Sequence, residues 1–415
     1  MKISEVIKEA EKLVSPSRAE EDRVHSVIFE VTNKVAVRAK AQNINAHLIA
    51  GGSAAKGTWL PGFSDIDFFL VFDYDSFSEK SAELSNHAEK ILKGIFKLAR
   101  LHGSRDYFSA KYKNYNVEII PVLDISEEQE PRNLTDFSPL HVTWFNIKAK
   151  KNPKLRTEVR LAKQFLKAAG VYGAESYIRG FSGHVVEILV ANYGSFLGLA
   201  KSMMKWKYQE VVDVERHYRN AKEVFANLNK SKLESAIILV DPVEKGRNAA
   251  AALDRDKFNL AKEACHRFMD MPGIEFFKEK QFSIENLKEK KKDLKLIIAY
   301  SKIKNGKPDI IGAKLRKEFE QTGKIFAEND FVVQDSGFHI DPGSGVFWFY
   351  FDKTALSAKK EHAGPPANLK DHASAFKKKW KAVKIKDGRL VAEVKRKYIK
   401  PEELLKKLKV NFKVY

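Results

Sequence analysis

Apolar residues along the first part of the chain recur at helical spacing between charged ones, so helices are expected up to about Gln42. The period then changes. "AHLIAGGS" predicts a strand and a turn, "AAKGTW" a short helix, and "SDIDFFLVFDY" a strand of β-branched and aromatic residues. "EKSAELSNHAEKILKGIFKLARLHG" returns to helical spacing and stops at Gly103. "YNVEIIPVLDI" is a further strand, in which Pro121 marks a bulge or an edge. Strands mixed with a long helix predict a compact α/β or α+β domain over residues 1–150.

From Lys151 the pattern is helical. "EVRLAKQFLKAAG" sets Val159, Ala162, Phe165 and Leu166 on one face and ends at Gly170. "FSGHVVEILVANYGSF" predicts a helix capped by Ser182 and ended near Gly194. The lysine-rich "LKEKKKDLK" predicts a boundary. Beyond it "LKLIIAYSK", "AKLRKEFEQTGK", "DFVVQDSG" and "GVFWFYFDK" read as strand, helix, strand, strand, a small α+β module over 285–358. "EHAGPPANLKDH" breaks it off, and the end returns to basic helices with one strand, "GRLVAEVKRKY". Phe347, Trp348, Phe349 and Tyr350 alternate in one strand, so half of them face the core; the others stack on RNA or cover a neighbouring helix, and the domain contact is the favoured reading.

A chain of 415 residues holds two to four domains on ordinary priors, and 44% hydrophobic residues suffice for their cores. The net charge of +20 points to a polyanion, and nucleic acid is the usual partner of so basic a chain. The single cysteine, Cys265, excludes an internal disulfide and a cysteine metal cluster and fits a reducing cytoplasm. The charged N-terminus lacks the apolar stretch of a signal peptide, and no apolar run of about 18 residues exists to span a membrane.

The chemistry gathers at residues 51–74. Residues i and i+2 of a strand share a face, so Asp65 and Asp67 present two carboxylates side by side. Such a pair is costly to bury bare, and a hard divalent cation such as magnesium relieves it. The bland alternative is one aspartate capping a turn and the other in solvent. Gly52-Ser53 leads from a strand into a short helix, whose N–H groups and hydroxyl suit phosphate oxygens, with Lys56 one turn on. A phosphate cradle just before a two-carboxylate strand suits nucleotidyl transfer from a triphosphate, with two metal ions. Glu118, flanked by Val117 and Ile119, is the candidate third carboxylate if the two apolar strands pair; a lone glutamate there otherwise faces solvent.

"GGSAAKGTWLPGFSDIDFF" resembles the active-site motif of the DNA polymerase β-type nucleotidyltransferases and, more closely, that of the archaeal (class I) CCA-adding enzymes, the tRNA nucleotidyltransferases. The resemblance continues in order through "SPLH", "EVRLAKQFLKAAGVYGAE", "RGFSGHVVEIL", "YGSF", "DPVEKGRNAAAAL", the "FF" at 276–277 and "GPP" with "HASAF". It implies an α+β multidomain protein: a polymerase β-like catalytic head with a mixed sheet and helices (1–150), a helical neck (151–235), an α+β body (236–284 with 359–415) and a small α+β tail (285–358). It further implies Asp65, Asp67 and Glu118 as ligands of two Mg2+ ions, with Ser53 and Lys56 on the triphosphate. His141, Lys163 and Tyr172 would bind the nucleotide, and Arg247 would read the base. Three positions depart from the family's habit: Lys56 stands for arginine, Asp65 for glutamate and Glu118 for aspartate. From the residues alone, His141 could equally pack at a domain junction, and Tyr172 could be a packed aromatic. Arg160, Lys163 and Lys167 share a polar helical face, which solvent explains adequately for the outer two.

The resemblance implies template-independent addition and repair of the 3′-terminal CCA of tRNA, from CTP and ATP, with release of pyrophosphate. The acceptor stem and TΨC arm would meet the late basic runs "LKEKKKDLK", "AFKKKWKAVKIK", "EVKRKYIK" and "LLKKLKV", each by itself a solvated face. It admits a homodimer and no membrane. Two rivals stay open: another template-free polymerase such as a poly(A) polymerase, and an inactive tRNA-binding paralogue.

Overall fold

The computed structural model describes residues 2–126, 129–303, 308–341, 343–408 and 410–415. Lys409 of the last basic run lies outside them. The chain forms two compact units that divide after Lys280.

In the first unit, α1 (Ile3–Val14) buries Val6, Ala10 and Val14, one residue per turn. That stripe packs into the core built later by Leu155, Val159 and Phe165, so the first helix belongs with the helical region and not with the sheet. After Ser17, whose side chain and Glu20 form a capping box, α2 (Arg18–Ala41) lays Val24, Val27, Val31, Val35 and Ala39 on the sheet.

The sheet contains β1 (Ala46–Ala50), β2 (Asp65–Phe72), β3 (Ala99–Leu101), β4 (Tyr107–Tyr112) and β5 (Tyr115–Leu123), in the order β1-β2-β5-β4-β3. Between β1 and β2 lies the five-residue α3 (Gly52–Lys56), and after β2 come α4 (Tyr74–Phe77) and α5 (Leu84–Leu92). The β2–β5 pair is parallel and the others antiparallel, the mixed sheet expected. The helix expected as far as Gly103 ends at Leu92. Gly94, at φ +86°, turns the chain, and Ala99–Leu101 pairs as a strand instead. Pro121 lies in a central strand, but at a point where β4, which pairs only as far as Ile119, has already left; its missing N–H therefore breaks no ladder bond.

One face of β2, made by Ile66, Phe68, Leu70 and Phe72, packs under α2 and α5. The opposite face is divided. Phe69 and Val71 pack with Val122 and with Val142 of α6 (Ser138–Lys151), while Asp65 and Asp67 occupy the uncovered start of the strand.

The helical region follows, with α7 (Leu155–Ala168), α8 (Gly183–Tyr193) and α9 (Phe196–Lys205). Gly170 at φ +69° ends α7's turn as expected, Ser182 caps α8 through the N–H of Val185, and Gly194 closes it at φ +78°. The parallel pair β6 (Glu210–Val212) and β7 (Ile237–Leu239), the short α10 (Ala221–Asn227) and α11 (Arg255–Asp270) complete the unit. Burial raises the Cys265 thiol on α11 up to about 12.

The second unit opens with α12 (Ile284–Lys290), so the lysine-rich run expected at a boundary is partly helical, and the two units divide a few residues before it. The strands β8 (Lys295–Lys302), β9 (Asp335–Asp341) and β10 (Ser344–Phe351) form an antiparallel sheet completed by β14 (Asn411–Val414), in the order β14-β8-β10-β9. On one face Phe347, Phe349 and Phe351 pack with Leu315 and Phe326 of α13 (Pro308–Glu328) and with Leu404 and Leu405 of α15 (Pro401–Lys407). On the other, Tyr350 is buried and its hydroxyl donates to the Leu287 carbonyl at 2.6 Å, while Trp348 stacks on Phe282.

The stretch expected to break off the 285–358 module begins a separate three-stranded sheet: its "GPP" lies in β11 (Lys359–Pro366), paired with β13 (Arg389–Lys395), which also pairs with β12 (Val383–Lys386). A Cβ on Gly364 would come within 2.7 Å of the Phe376 ring on α14 (Lys370–Lys379), so glycine lets the helix sit on the strand. Residues 236–280 belong to the first unit and 359–415 to the second. Asn411–Val414 pairs with β8 of the small α+β module. Among the described residues no helix is long and apolar enough to cross a membrane.

Candidate active site

The parallel register of β2 and β5 sets Asp65 beside Asn116 and Asp67 beside Glu118. Registered neighbours face the same side, so Asp65, Asp67 and Glu118 form one carboxylate cluster on the uncovered part of the sheet. Asp65 is exposed; it accepts from Asn116 Nδ2 at 2.8 Å and from Ser64 Oγ at 3.0 Å. Asp67 and Glu118 are half-buried. Burial, then the charges of Glu118 and Asp65, push the Asp67 carboxyl up to about 6. Burial and the charge of Asp65 raise Glu118 as well.

The turn before β2 lies directly against this cluster. Gly51 donates to the Asp67 carbonyl at 2.7 Å. A Cβ on Gly52 would fall 1.9 Å from Asp67 Oδ2, and Gly52 has φ +52°, so both space and backbone conformation require glycine here. Ser53 follows and lines a cavity of about 350 Å³ together with Thr58, Asp65, Lys163, Lys167 and Tyr172. The cavity thus unites four of the expected residues: Ser53, Asp65, Lys163 and Tyr172. The Tyr172 ring packs partly on the helical core, and Lys167 Nζ sits 5.9 Å from its centre.

Lys56 is placed differently from the expectation. Its side chain is buried, and Nζ donates to Glu187 Oε2 of α8 at 2.7 Å. Lys163 Nζ reaches the other oxygen of Glu187 at 3.0 Å and Thr58 Oγ1 at 2.9 Å. Thr58 in turn donates to Glu187 at 2.7 Å. Burial alone would raise the Glu187 carboxyl, but Lys163 and Lys56 outweigh it and hold it well below the usual range. One buried carboxylate therefore fixes two ammonium groups. Nor is Arg160 merely solvated: it is half-buried, with Nη2 on Thr157 at 3.2 Å.

His141 and Arg247 meet at another carboxylate. Asp241 is fully buried and accepts from His141 Nε2 at 2.8 Å and from His184 Nε2 at 3.2 Å, and Arg247 Nη1 lies at 3.4 Å. Burial works to raise Asp241, but the hydrogen bonds from the two histidines outweigh it and keep it ionised. Burial, opposed by the bond to Asp241, pushes His184 down to about 4. The three ligand atoms of His141, His184 and Asp241 lie within 4.8 Å of one another, and hydrogen bonds between them already satisfy all three.

The site joins a sheet-borne carboxylate cluster to the buried lysine and histidine side chains of the helical region, and three family models match the chain in turn. Residues 33–130 match the nucleotidyltransferase domain, 157–278 the tRNA nucleotidyltransferase second domain, and 296–414 the CCA-adding enzyme C-terminal domain. The CCA-adding enzyme of Nanoarchaeum equitans is 34% identical over 77% of this chain and 76% of its own length. The chain belongs to the CCA-adding enzymes. A second member of the family, from Methanocaldococcus jannaschii, is 30% identical over 95% of this chain and 88% of its own length. In fold, a cytoplasmic RNA terminal U-transferase aligns with TM-score 0.52 at 14% identity, over 68% of this chain and 99% of that one. A poly(U) polymerase aligns with TM-score 0.51 at 14% identity, over 68% and 100%. These two likenesses establish the nucleotidyltransferase fold of this CCA-adding family member and nothing finer.

Sequence reasoning missed Thr58, His184, Glu187 and Asp241. A signal for two of them was present: "SGHVVEILV" sets a histidine and a glutamate three apart in an otherwise apolar helix, where a charge must be paired to be buried. For Asp241 the only sequence signal is an aspartate-proline turn directly after an apolar strand.

Proposed function

We propose that this chain adds and repairs the 3′-terminal CCA of tRNA, in the cytoplasm, from CTP and ATP and without a template. The observation that carries the reading is the carboxylate cluster of Asp65, Asp67 and Glu118 beside the cavity that Ser53 and Lys163 line.

The donor set fits magnesium. Three carboxylates share one sheet face, the Asp67 carboxyl is pushed up to about 6, and the nearby cation, Lys56, is already paired with Glu187. Hard oxygen ligands of this kind suit Mg2+. When bound, two Mg2+ ions would neutralise the triphosphate and lower the pKa of the tRNA 3′ hydroxyl. The Ser53 hydroxyl and the N–H groups of Gly52 and Ser53 hold phosphate oxygens, the Gly51 N–H being taken by the Asp67 carbonyl. Lys163, held by Glu187, presents its charge to the triphosphate, and Lys56 acts through its field, which is felt at Asp67. Tyr172 forms one wall of the nucleotide site. His141 contacts the nucleotide and Arg247 reads the base, its planar donors meeting base acceptors. The 3′ oxygen bonds to the α-phosphorus, pyrophosphate leaves in line, and a carboxylate of the cluster takes the hydroxyl proton.

In this reading residues 1–150 hold the catalytic head and 151–235 the neck. The second unit meets the acceptor stem and TΨC arm. Lys377, Lys378, Lys384 and Lys395 are exposed there and have no carboxylate partner among the described residues. Shape-read RNA needs such sequence-neutral cations. A homodimer is part of the reading and is checked by sedimentation. The activity test offers each labelled nucleotide to tRNA lacking its terminal CCA. C and then A incorporation supports the reading, and long A tracts without C addition overturn it.

A further inference from the structure

Asp241 begins the segment that carries Arg247. Part of its role is local, since Oδ1 accepts the N–H groups of Val243 at 3.0 Å and Glu244 at 3.1 Å and so shapes the turn. A turn cap, however, needs only those two bonds. The same carboxylate reaches His141, a hundred residues away on α6, and His184 on α8, and it pairs with Arg247. The two rings lie 4.4 Å apart, centre to centre, and pack against each other at a tilt of 58°. An ionised carboxylate only accepts, so each Nε2 facing it must carry its proton. Asp241 thereby fixes the orientation of both rings. The Arg247 side chain is 40% exposed, and free it would spread over many rotamers. Its partner Asp241 is fully buried and cannot follow it into solvent.

We propose that Asp241, hydrogen-bonded to His141 and His184 and ion-paired with Arg247, is the positioning residue that sets nucleotide selection in this site. The inference rests on the reading of His141 and Arg247 as nucleotide contacts. Asp241 touches neither substrate nor reacting atoms; it aims the groups that do. His184 serves it as the second donor, packed against His141. Without the carboxylate Arg247 meets base acceptors from many directions, so U and G, which present carbonyl oxygens of their own, are no longer rejected.

The test compares wild type with Asp241→Asn, His184→Leu and His184→Gln on tRNA lacking one, two or three terminal nucleotides. The readouts are kcat and KM for CTP and ATP, the relative incorporation of UTP and GTP, and the thermal melt. In Asp241→Asn the amide keeps an oxygen for His141 and the two turn N–H groups, and its NH2, in the place of Oδ2, presents a donor to His184 and Arg247, which already donate. KM for CTP and ATP should rise, and misincorporation should increase, by at least about tenfold, the scale of a single lost polar contact in discrimination. The change in kcat should be smaller. His184→Leu should shift selectivity in the same direction, and His184→Gln, which restores a donor near the Nε2 position, should recover most of it. If Asp241→Asn does not fold, the His184 pair decides. Unchanged selectivity and KM in folded variants, or a Gln variant no better than Leu, overturns the inference while CCA addition by wild type stands. Absence of C and A addition by wild type overturns the underlying reading instead.

Discussion

Asp67 concentrates the site's cost in one side chain. Its carboxyl is pushed up to about 6 by burial and by Glu118 and Asp65, so in the metal-free protein ionising it opposes folding. The folded state holds this proton more tightly than the unfolded chain. Stability therefore falls as pH rises from about 4 to 6 and stays reduced above. Asp67→Asn removes the penalty. In chelator at pH 7.5 the variant should be more stable than wild type by about 1–3 kcal/mol, a gain that shrinks near pH 4, as thermal melts will show. The same variant should lose nucleotide incorporation by about a thousandfold or more while tRNA affinity, measured by filter binding, stays level. Protons compete for the same oxygens, so the magnesium concentration needed for activity should rise as pH drops through about 6. At this scale the aspartate pair was legible because i and i+2 share a strand face. The place of Glu118 needed the strand register, which apolar flanks suggest but do not fix. The sequestering of Lys56 was not legible, because its partner Glu187 lies 131 residues on.

Glu187 works at the scale of elements. One carboxylate fastens α3 through Lys56, the following loop through Thr58 and α7 through Lys163, all from the first turns of α8. Glu187→Gln leaves two buried ammonium groups without an anion. Breaking such a pair by removing one partner costs about 3–5 kcal/mol, and urea denaturation should show a loss of that order. An unchanged midpoint would mean that water, not Glu187, satisfies the lysines. The helices of this region could be read from the sequence because caps and stripes agree: Ser182, Gly170 and Gly194 all stand where they end or begin a helix. The short strands could not. Ala99–Leu101 continues a helical stripe in sequence, and Gly94 at φ +86° overrides it. Asn411–Val414 is a largely exposed edge strand held by β8, a partner distant in sequence, whereas Val383–Lys386 alternates apolar and polar residues and pairs with the adjacent β13 across Asp387-Gly388, a hairpin signal that lay within a basic run.

For the whole molecule, charge and chemistry are carried by different units. The carboxylates and the cavity lie before Lys280, whereas the longest lysine runs lie after it. Replacing Lys377, Lys378 and Lys384 by glutamate should weaken tRNA binding about equally for all tRNA sequences. It should also flatten the dependence of log affinity on log salt by about one unit per lost phosphate contact. Turnover at saturating tRNA should hold, because none of the three lies in the unit that contains the carboxylates. The division itself was only partly legible. A lysine-rich run marks the boundary only to within a few residues, because Ile284–Lys290 folds as a helix under β10, and the return of the C-terminus to β8 has no local signal.

The central claim is that this carboxylate cluster builds a CCA end and then stops. Its most direct test is sequencing of the 3′ ends of tRNA that lacked all three terminal nucleotides, after reaction with the four triphosphates together and magnesium. Products ending in C, C and A, with no further growth and none formed by Asp67→Asn, are the predicted result. Heterogeneous A or U tails, or tight tRNA binding with no added nucleotide, would contradict it.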